Sequence, residues 1–328
     1  MKEGLVIGKF LPLHKGHIAL IEFALENCEH INVILCHSDS ESIPGSVRLN
    51  WLKKSFVGNG RISIIDFGYD EKELPNTSVS SKETSRVWSK ALSKKVQVVD
   101  VIFSSEPYGD YVAEYFGCKH MLFDIFRKSF TISGSQIMGS PVEYCKYIAD
   151  AAKPYFVKKI ALVGTESTGK STLTEKLAKE YKTAFVPEMA REIIEKTDEC
   201  RYEHLQEIAI LQATTVLTQS SQANRILFVD TELNITKSYA LFLFKKELIT
   251  AHWIENANKF DLYLYLENDC PFVQDGTRLS VEERDKLDKS HKEQFIKAGI
   301  PIISITGNWD ERFQSACAII NSFFKINN

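Results

Sequence analysis

Residues 159–171 read KIALVGTESTGKS, and this stretch decides the fold of the second half of the chain. A short apolar run leads into the spacing Gly-x-x-x-x-Gly-Lys-Ser, after which a helical pattern begins near Ser171. In such a loop the backbone N–H groups surround phosphate oxygens, the lysine reaches the outer phosphates and the serine hydroxyl binds Mg²⁺. The pattern therefore predicts an ATP-binding loop between a strand and a helix. Its predicted ligands of ATP are Gly164, Gly169, Lys170, Ser171 and Thr172.

Apolar runs of strand length alternate with helical patterns along the rest of the chain. Such runs separated by helices favour parallel sheets that are covered on both faces. Pro154 interrupts the helical pattern between two series of runs. The sequence therefore predicts the α/β class, with two doubly wound parallel-sheet domains at residues 1–153 and 154–328. The predicted strands are Gly4–Phe10, Ile31–His37, Arg61–Phe67, Val98–Ser105, Met121–Asp124, Lys159–Val163, Ala184–Pro187, Ile226–Asp230, Leu262–Leu266 and Pro301–Ile305.

The composition of the 328 residues is that of a globular protein, with 44% hydrophobic and 25% charged residues. Lys and Arg number 40 against 43 for Asp and Glu, so no basic excess indicates a nucleic-acid partner. No apolar run approaches the roughly 18 residues that span a bilayer, and the first strand leaves no room for a signal peptide. The seven scattered cysteines form no CxxC pair, so we expect reduced thiols and a cytoplasmic location.

Two carboxylates are predicted to complete the phosphate site. Asp230 ends the apolar run ILFV, where P-loop enzymes place the carboxylate that holds Mg²⁺, so Asp230 and Ser171 are the predicted metal ligands. Glu188 follows the run AFVP, and small-molecule kinases often use a carboxylate there to accept the proton of the substrate hydroxyl. Glu188 is therefore the first candidate for the general base and Asp230 is its rival, although either could instead cap a helix. Arg191, three residues after Glu188, is a predicted substrate ligand.

Two polar segments near the end of the chain are further candidates for contact with ATP. Asp275-Gly276-Thr277-Arg278 is typical of a lid, and Arg278 is expected to approach the transferring phosphate. Trp309 and Arg312 follow the last predicted strand, where P-loop kinases often hold adenine. Their predicted contact with the nucleotide rests on this position alone.

A second candidate site lies at the start of the chain, in residues 8–17, GKFLPLHKGH. A strand end, a turn that contains Pro12 and a helix start create an anion site, because a helix N-terminus presents unpaired N–H groups. His14 and His17 are placed to donate to phosphate oxygens there. Residues 132–138, ISGSQIM, supply hydroxyls at another predicted helix start. The predicted nucleotide ligands are Gly8, Lys9, Phe10, Ser133 and Ser135.

These two segments resemble the GxFxPxHxGH and ISxTxxR signatures of the nucleotidylyltransferase superfamily, with Ser135 in place of the threonine. Together with Arg48-Leu49-Asn50-Trp51-Leu52, Val87-Trp88-Ser89, Ser104-Ser105-Glu106 and Phe123-Asp124 with Arg127, the chain resembles the bifunctional NadR family. The resemblance implies a nicotinamide-nucleotide adenylyltransferase domain followed by a ribosylnicotinamide kinase domain. It also implies that His14 and His17 are catalytic. The substrate ligands that it implies are Arg48, Arg127 and Trp88, of which Trp88 would stack on nicotinamide or pack in the core.

The sequence departs from the pattern of this family in two ways. Some relatives begin with a helix-turn-helix domain, and we expect none here because the chain starts at the predicted catalytic strand. Met138 stands where the signature has arginine, and methionine cannot supply a planar fork of donors to polyphosphate. We therefore expect the first domain to be slow, to be assisted by Arg127 or Lys128, or to act by binding alone.

The resemblance implies a bifunctional enzyme of NAD salvage that uses ATP and Mg²⁺. Its implied small-molecule partners are ribosylnicotinamide, nicotinamide mononucleotide, ATP and NAD. The alternative is a kinase whose first domain binds mononucleotide or NAD as a sensor, and a third possibility is a regulatory module that couples nucleotide status to a transporter or promoter. A homo-oligomer and a functional link to a ribosylnicotinamide transporter are further expectations.

Overall fold

The computed structural model describes residues 2–75, 81–124, 126, 128–194, 200–270 and 280–326. The chain forms two units, Met1–Lys153 and Pro154–Asn328, and each unit contains its own five-stranded sheet with helices packed against it. The strands of both sheets pair in parallel, as expected when helices connect successive strands. The predicted α/β class with two parallel sheets is therefore confirmed.

The first sheet has the strand order β3-β2-β1-β4-β5. The chain leaves the central strand β1 in one direction and later crosses to the other side, which places a crevice beyond the carboxyl ends of β1 and β4. The strands are β1 (Glu3–Gly8), β2 (His30–His37), β3 (Ile62–Gly68), β4 (Val101–Ser104) and β5 (Lys119–Leu122). The helices are α1 (Lys15–Asn27), α2 (Gly45–Ser55), α3 (Lys82–Leu92), α4 (Tyr108–Phe116), α5 (Gly134–Gly139) and α6 (Lys153–Phe156).

The second sheet has the order β10-β9-β6-β8-β7, with β6 in the centre. The carboxyl ends of β6, β8 and β7 therefore lie side by side at one edge. The strands are β6 (Lys158–Val163), β7 (Phe185–Val186), β8 (Ile226–Asp230), β9 (Leu262–Leu266) and β10 (Ile303–Ile305). The helices are α7 (Lys170–Glu180), α8 (Tyr202–Ser220), α9 (Leu233–Phe244), α10 (His252–Ala257), α11 (Val281–Ala298) and α12 (Trp309–Phe324).

The cores explain why the predicted runs became strands. Leu5, Ile34 and Ile102 are buried in the first sheet, while Ile160 and Leu162 of β6 are buried beneath Leu173 and Leu177 of α7 in the second. Burial of each such side chain stabilises the folded state by roughly 1.5–3 kcal/mol relative to its exposure to water. Within the described residues, no helix combines the length and the apolar character that crossing a membrane requires.

Candidate functional site

The Gly-x-x-x-x-Gly-Lys-Ser segment forms the predicted loop between β6 and α7. Gly164 and Gly169 have φ values of 141° and 82°, which side chains rarely adopt. A Cβ atom on Gly164 would also lie 2.5 Å from the carbonyl oxygen of Leu266. Both glycines are therefore required by the backbone path of the loop.

Lys170 is buried within this loop. Its Nζ donates to the Thr165 carbonyl at 2.8 Å, and the Thr168 hydroxyl donates to the same oxygen at 2.9 Å. Ser171 follows in the first turn of α7, and Thr172 is exposed. The loop thus holds the Lys170 cation beside the N-terminus of α7. The charge of Lys170 and the positive end of the helix dipole both favour phosphate at this place.

Asp230 lies at the end of β8, paired in register with Leu162 of β6. Only 1% of its surface is exposed, and its Oδ2 has no hydrogen-bond partner among the described residues. Burial raises the pKa of Asp230 to about 6, an effect that the Lys170 cation opposes and the Glu188 charge reinforces. A contact with the Ser171 hydroxyl also lowers this pKa.

A hydroxyl and an orphaned carboxylate oxygen are the oxygen donors that Mg²⁺ takes from P-loop proteins, which otherwise leave its coordination to phosphate and water. Ser171 and Asp230 therefore fit the metal. No group of three or more His, Cys, Asp or Glu side chains that could hold a metal ion occurs in the described part of the chain.

Glu188 lies two residues beyond β7, whose Val186 pairs with Val229 of β8. Its side chain is 23% exposed and accepts a 3.1 Å hydrogen bond from Nε of Arg191. The structure thus brings Glu188, Arg191, Asp230 and Lys170 to one edge of the second sheet. Their individual roles remain predictions.

The first turn of α12 contacts the phosphate loop. A Cβ atom on Gly169 would lie 2.1 Å from the ring of Trp309, which is 56% exposed. Arg312 is 2% exposed and donates to the carbonyl oxygens of Gly307, Thr168 and Glu267. Its guanidinium therefore supports the loop from inside the protein, and the nucleotide contact that the sequence predicted stays a prediction.

Two predicted residues, Arg278 and Arg127, lie outside the described residues. Lys128, the other cation considered beside Met138, is exposed, and its backbone N–H donates to Asp124 at 2.7 Å.

The two histidines of the first unit lie at the start of α1. His14 caps the helix, its Nδ1 accepting from the Gly16 N–H at 3.1 Å, while Nδ1 of His17 accepts from the His14 N–H at 3.4 Å. The proton of each neutral imidazole is therefore assigned to Nε2. The rings stack with centroids 3.7 Å apart, and Phe10 contacts His17 edge-on. Burial and the neighbouring His14 lower the pKa of His17 well below its usual value, against a hydrogen bond to the Pro12 carbonyl.

The second signature segment packs directly against the first. Ser133 caps α5 by accepting from the Gln136 N–H at 3.3 Å, and Ser135 is exposed. A Cβ atom on Gly134 would lie 2.7 Å from the carbonyl oxygen of Leu11. The half-buried Met138 follows on this short helix, so the position of the signature arginine holds an uncharged side chain.

Lys9 and Arg48 share Glu41, a residue that the sequence analysis missed. Lys9 Nζ lies 3.1 Å from Oε1 of Glu41, and the fully buried Arg48 donates to Oε2 at 2.5 Å and to the Lys9 carbonyl at 2.7 Å. Arg48 thus supports Lys9 through its carbonyl and through Glu41, and the predicted substrate contact of Arg48 stays a prediction. No local pattern marks Glu41, because its partners come from two other segments of the chain.

Trp88 packs on α3 beside Tyr69, with ring centroids 4.8 Å apart, and its Nε1 donates to the Pro75 carbonyl at 3.1 Å. It is half-buried against the core of the first unit. A stacking role toward nicotinamide remains a prediction.

Known proteins resemble this chain in sequence along most of its length. Residues 159–312 match a family model described as an AAA domain. The trifunctional NAD biosynthesis/regulator protein NadR of Salmonella typhimurium is 31% identical, and the match covers 84% of this chain and 71% of that protein. The NadR protein of Escherichia coli is also 31% identical, over 94% of this chain and 80% of its own length. This chain belongs to the NadR family.

A solved structure agrees with this NadR membership at the level of the fold. The crystal structure of a NadR protein in complex with NAD and AMP-PNP matches with a TM-score of 0.78, at 19% identity, over 100% of this chain and 97% of that chain. The predicted resemblance to the NadR family is therefore confirmed.

Proposed function

We propose that the chain makes NAD from ribosylnicotinamide in two ATP-dependent steps, phosphorylation by residues 154–328 and adenylylation by residues 1–153. Membership of the NadR family supports NAD biosynthesis with kinase and adenylyltransferase roles. The observation that carries the kinase assignment is the phosphate loop in which Lys170 and Ser171 lie beside the buried Asp230, with Glu188 at the next strand end.

In the kinase step, the substrate hydroxyl oxygen attacks the γ-phosphorus of ATP and ADP leaves. Glu188 orients that hydroxyl and accepts its proton, while Lys170 stabilises charge on the transferred group. Ser171 and Asp230 are the residues that would hold Mg²⁺, and the bound ion would supply positive charge against the phosphates. Arg191 keeps Glu188 in place through the Nε contact, and Arg278 is the proposed lid cation.

In the adenylyl step, a phosphate oxygen of the mononucleotide attacks the α-phosphorus of ATP and pyrophosphate leaves. His14 donates a hydrogen bond from Nε2 to the phosphate oxygens, since its Nδ1 accepts from the Gly16 N–H. The ring N–H of His17 bonds to the Pro12 carbonyl and turns from it to a phosphate oxygen when ATP binds. His17 acts as a neutral donor at pH 7 because its pKa is lowered. Lys9, held by Glu41, adds a cation, and Trp88 is the proposed nicotinamide contact.

The uncharged Met138 favours one alternative, in which the first unit binds mononucleotide or NAD as a sensor and only the kinase is active. Without an arginine at this position, the leaving pyrophosphate has one charge-assisted contact fewer.

The deciding experiment incubates the protein with ribosylnicotinamide, ATP and Mg²⁺ and separates the products by chromatography. We expect mononucleotide first and NAD later. A reaction that ends at mononucleotide, with mononucleotide binding detected by calorimetry, would favour the sensor alternative. The absence of any phosphorylated product would overturn the proposed function.

We further propose a cytoplasmic location, supported by the absence of disulfide bonds among the described cysteines. A homo-oligomeric state and a functional link to a ribosylnicotinamide transporter remain predictions.

A further inference from the structure

Arg312 binds three segments of the second unit at once. Nη1 donates to the Thr168 carbonyl of the phosphate loop at 2.8 Å, and Nε donates to the Gly307 carbonyl before α12 at 2.8 Å. Nη2 donates to the Glu267 carbonyl after β9 at 2.9 Å and also contacts the Asp269 carboxylate. All three guanidinium nitrogens are therefore engaged.

Asp269 supplies the negative charge that offsets the desolvation of the buried Arg312 guanidinium. One of its oxygens contacts Arg312, and the other accepts from the Gly307 N–H at 2.8 Å. A buried guanidinium is costly unless it is paired and hydrogen-bonded, and here both conditions hold. The paired guanidinium thereby holds the Thr168 carbonyl of the phosphate loop in a fixed position.

The Thr168 carbonyl controls an N–H group that faces phosphate in a loop of this kind. In a trans peptide the C=O and the following N–H point in opposite directions. Holding the Thr168 oxygen toward Arg312 therefore directs the Gly169 N–H away from it. Trp309 lies one helical turn before Arg312, and its ring packs beside Gly169. Helix α12 therefore contacts this peptide through both Trp309 and Arg312.

We propose that Arg312 is a positioning residue for ATP, which fixes the Gly169 N–H toward the phosphates and ties the loop to the Trp309 segment. The proposal rests on the proposed kinase function of this unit. Because Arg312 is only 2% exposed and its guanidinium bonds to protein groups, its proposed effect passes through the backbone of the phosphate loop.

The test is Arg312→Lys, which keeps the charge but loses the planar fork that reaches three carbonyls. Losing one or two bonds to a charged donor predicts an increase in KM for ATP of about tenfold to a hundredfold. The KM for ribosylnicotinamide should stay within about twofold of the wild-type value, because the hydrogen bonds of Arg312 go to Gly307, Thr168, Glu267 and Asp269 and not to the proposed base Glu188. Calorimetry with a non-hydrolysable ATP analogue should show the same loss of affinity at one ATP site, while the affinity of the site proposed in the first unit stays unchanged.

Arg61→Lys is the matched control. Arg61 also donates to backbone carbonyls, those of Leu25, Cys28 and Glu29, but in the first unit. We expect this variant to lose stability and to keep the kinase KM for ATP. If Arg312→Lys does not fold, Asp269→Asn takes its place, since it removes the partner that fixes Arg312 and Gly307.

An unchanged KM for ATP in Arg312→Lys, or equal losses for both substrates together with lower stability, would overturn the positioning role. A wild-type protein that binds the ATP analogue but phosphorylates nothing would instead contradict the proposed function and leave the binding test of Arg312 valid.

Discussion

Asp230 and Glu188 end neighbouring strands, yet their surroundings separate their roles. Asp230 is buried beside Lys170 and Ser171, whereas Glu188 is partly exposed and held by Arg191. A buried carboxylate against the phosphate loop suits a metal ligand, and a carboxylate that reaches open space suits a base for an incoming hydroxyl.

The first prediction separates these roles by titration with Mg²⁺. Asp230→Asn should raise the Mg²⁺ concentration needed for half-maximal kinase activity by about tenfold, because one charged ligand becomes neutral. Glu188→Gln should lower kcat by about a hundredfold or more at saturating Mg²⁺ and leave the KM for ATP nearly unchanged. The reverse pattern would exchange the two roles.

The second prediction concerns Glu232, a fully buried carboxyl that caps α9 by accepting from the N–H of Asn234 at 3.0 Å. Burial raises the pKa of Glu232 to about 7 from an ordinary value of 4.5. The folded protein therefore binds this proton more tightly than the unfolded chain. The free energy of unfolding should then fall, by about 3 kcal/mol at most, as the pH rises from about 4.5 through 7.

Urea unfolding at pH 5 and pH 8, followed by tryptophan fluorescence, measures this difference. Glu232→Gln should reduce it, since glutamine does not titrate. Glu283→Gln is the matched control, because Glu283 also belongs to a helix cap but is exposed, with a lowered pKa. The idea fails if the Glu232 variant keeps the full pH dependence of the wild-type protein.

Met138 lies on helix α5, which belongs to the candidate site of the first unit. The third prediction tests how far this uncharged residue lowers the rate of adenylyl transfer. Met138→Arg should raise the rate of pyrophosphate release from mononucleotide and ATP by about tenfold to a hundredfold, the value of one charge-assisted contact. His17→Ala should remove the activity that the wild-type protein has.

The competing account gives the missing charge to Arg127 or Lys128. In that case Met138→Arg would gain nothing and Arg127→Ala would be severe. Lys128→Ala separates the two cations, and its folding can be checked by circular dichroism.

Most elements follow from local pattern, because alternating apolar runs and helical periodicity record which side chains are buried. The strand predicted at Ile226–Asp230 is found with those bounds, and Leu262–Leu266 likewise. The run Ala184–Pro187 gives only the two-residue strand Phe185–Val186, since a strand at the sheet edge pairs on one side. Helix α10 has only six residues, which are too few for a helical periodicity to mark it in the sequence.

The sequence could not predict which arginines are buried. Arg48 bonds to Lys9 and Arg312 bonds to Thr168, contacts that join residues 39 and 144 positions apart. Long-range partners of this kind leave no local signal, and a charged side chain is exposed by default. Both residues were therefore predicted as ligands, and in the structure both bond to backbone carbonyls.

At the scale of the molecule, the chain contains two sheets with a candidate nucleotide site at the carboxyl edge of each. The product proposed for the second unit is the substrate proposed for the first. Each site is built from residues of its own unit, so either chemistry should survive the loss of the other.

The fourth prediction tests this independence with two variants. Lys170→Ala removes the cation of the phosphate loop and should lower kinase activity by about a hundredfold or more, with adenylylation of supplied mononucleotide unchanged. His17→Ala should have the opposite profile. A mixture of the two variants should then convert ribosylnicotinamide to NAD after a lag, during which free mononucleotide accumulates and can be followed by chromatography.

The lag reports exchange through solution, because it depends on mononucleotide leaving one molecule and entering another. Doubling the concentration of both variants should shorten the lag, because free mononucleotide is then both formed and consumed faster. Each variant assayed alone provides the baseline. If the mixture makes no NAD while each variant keeps its remaining activity and the wild-type protein makes NAD, the intermediate does not exchange with solution and the two sites are not independent.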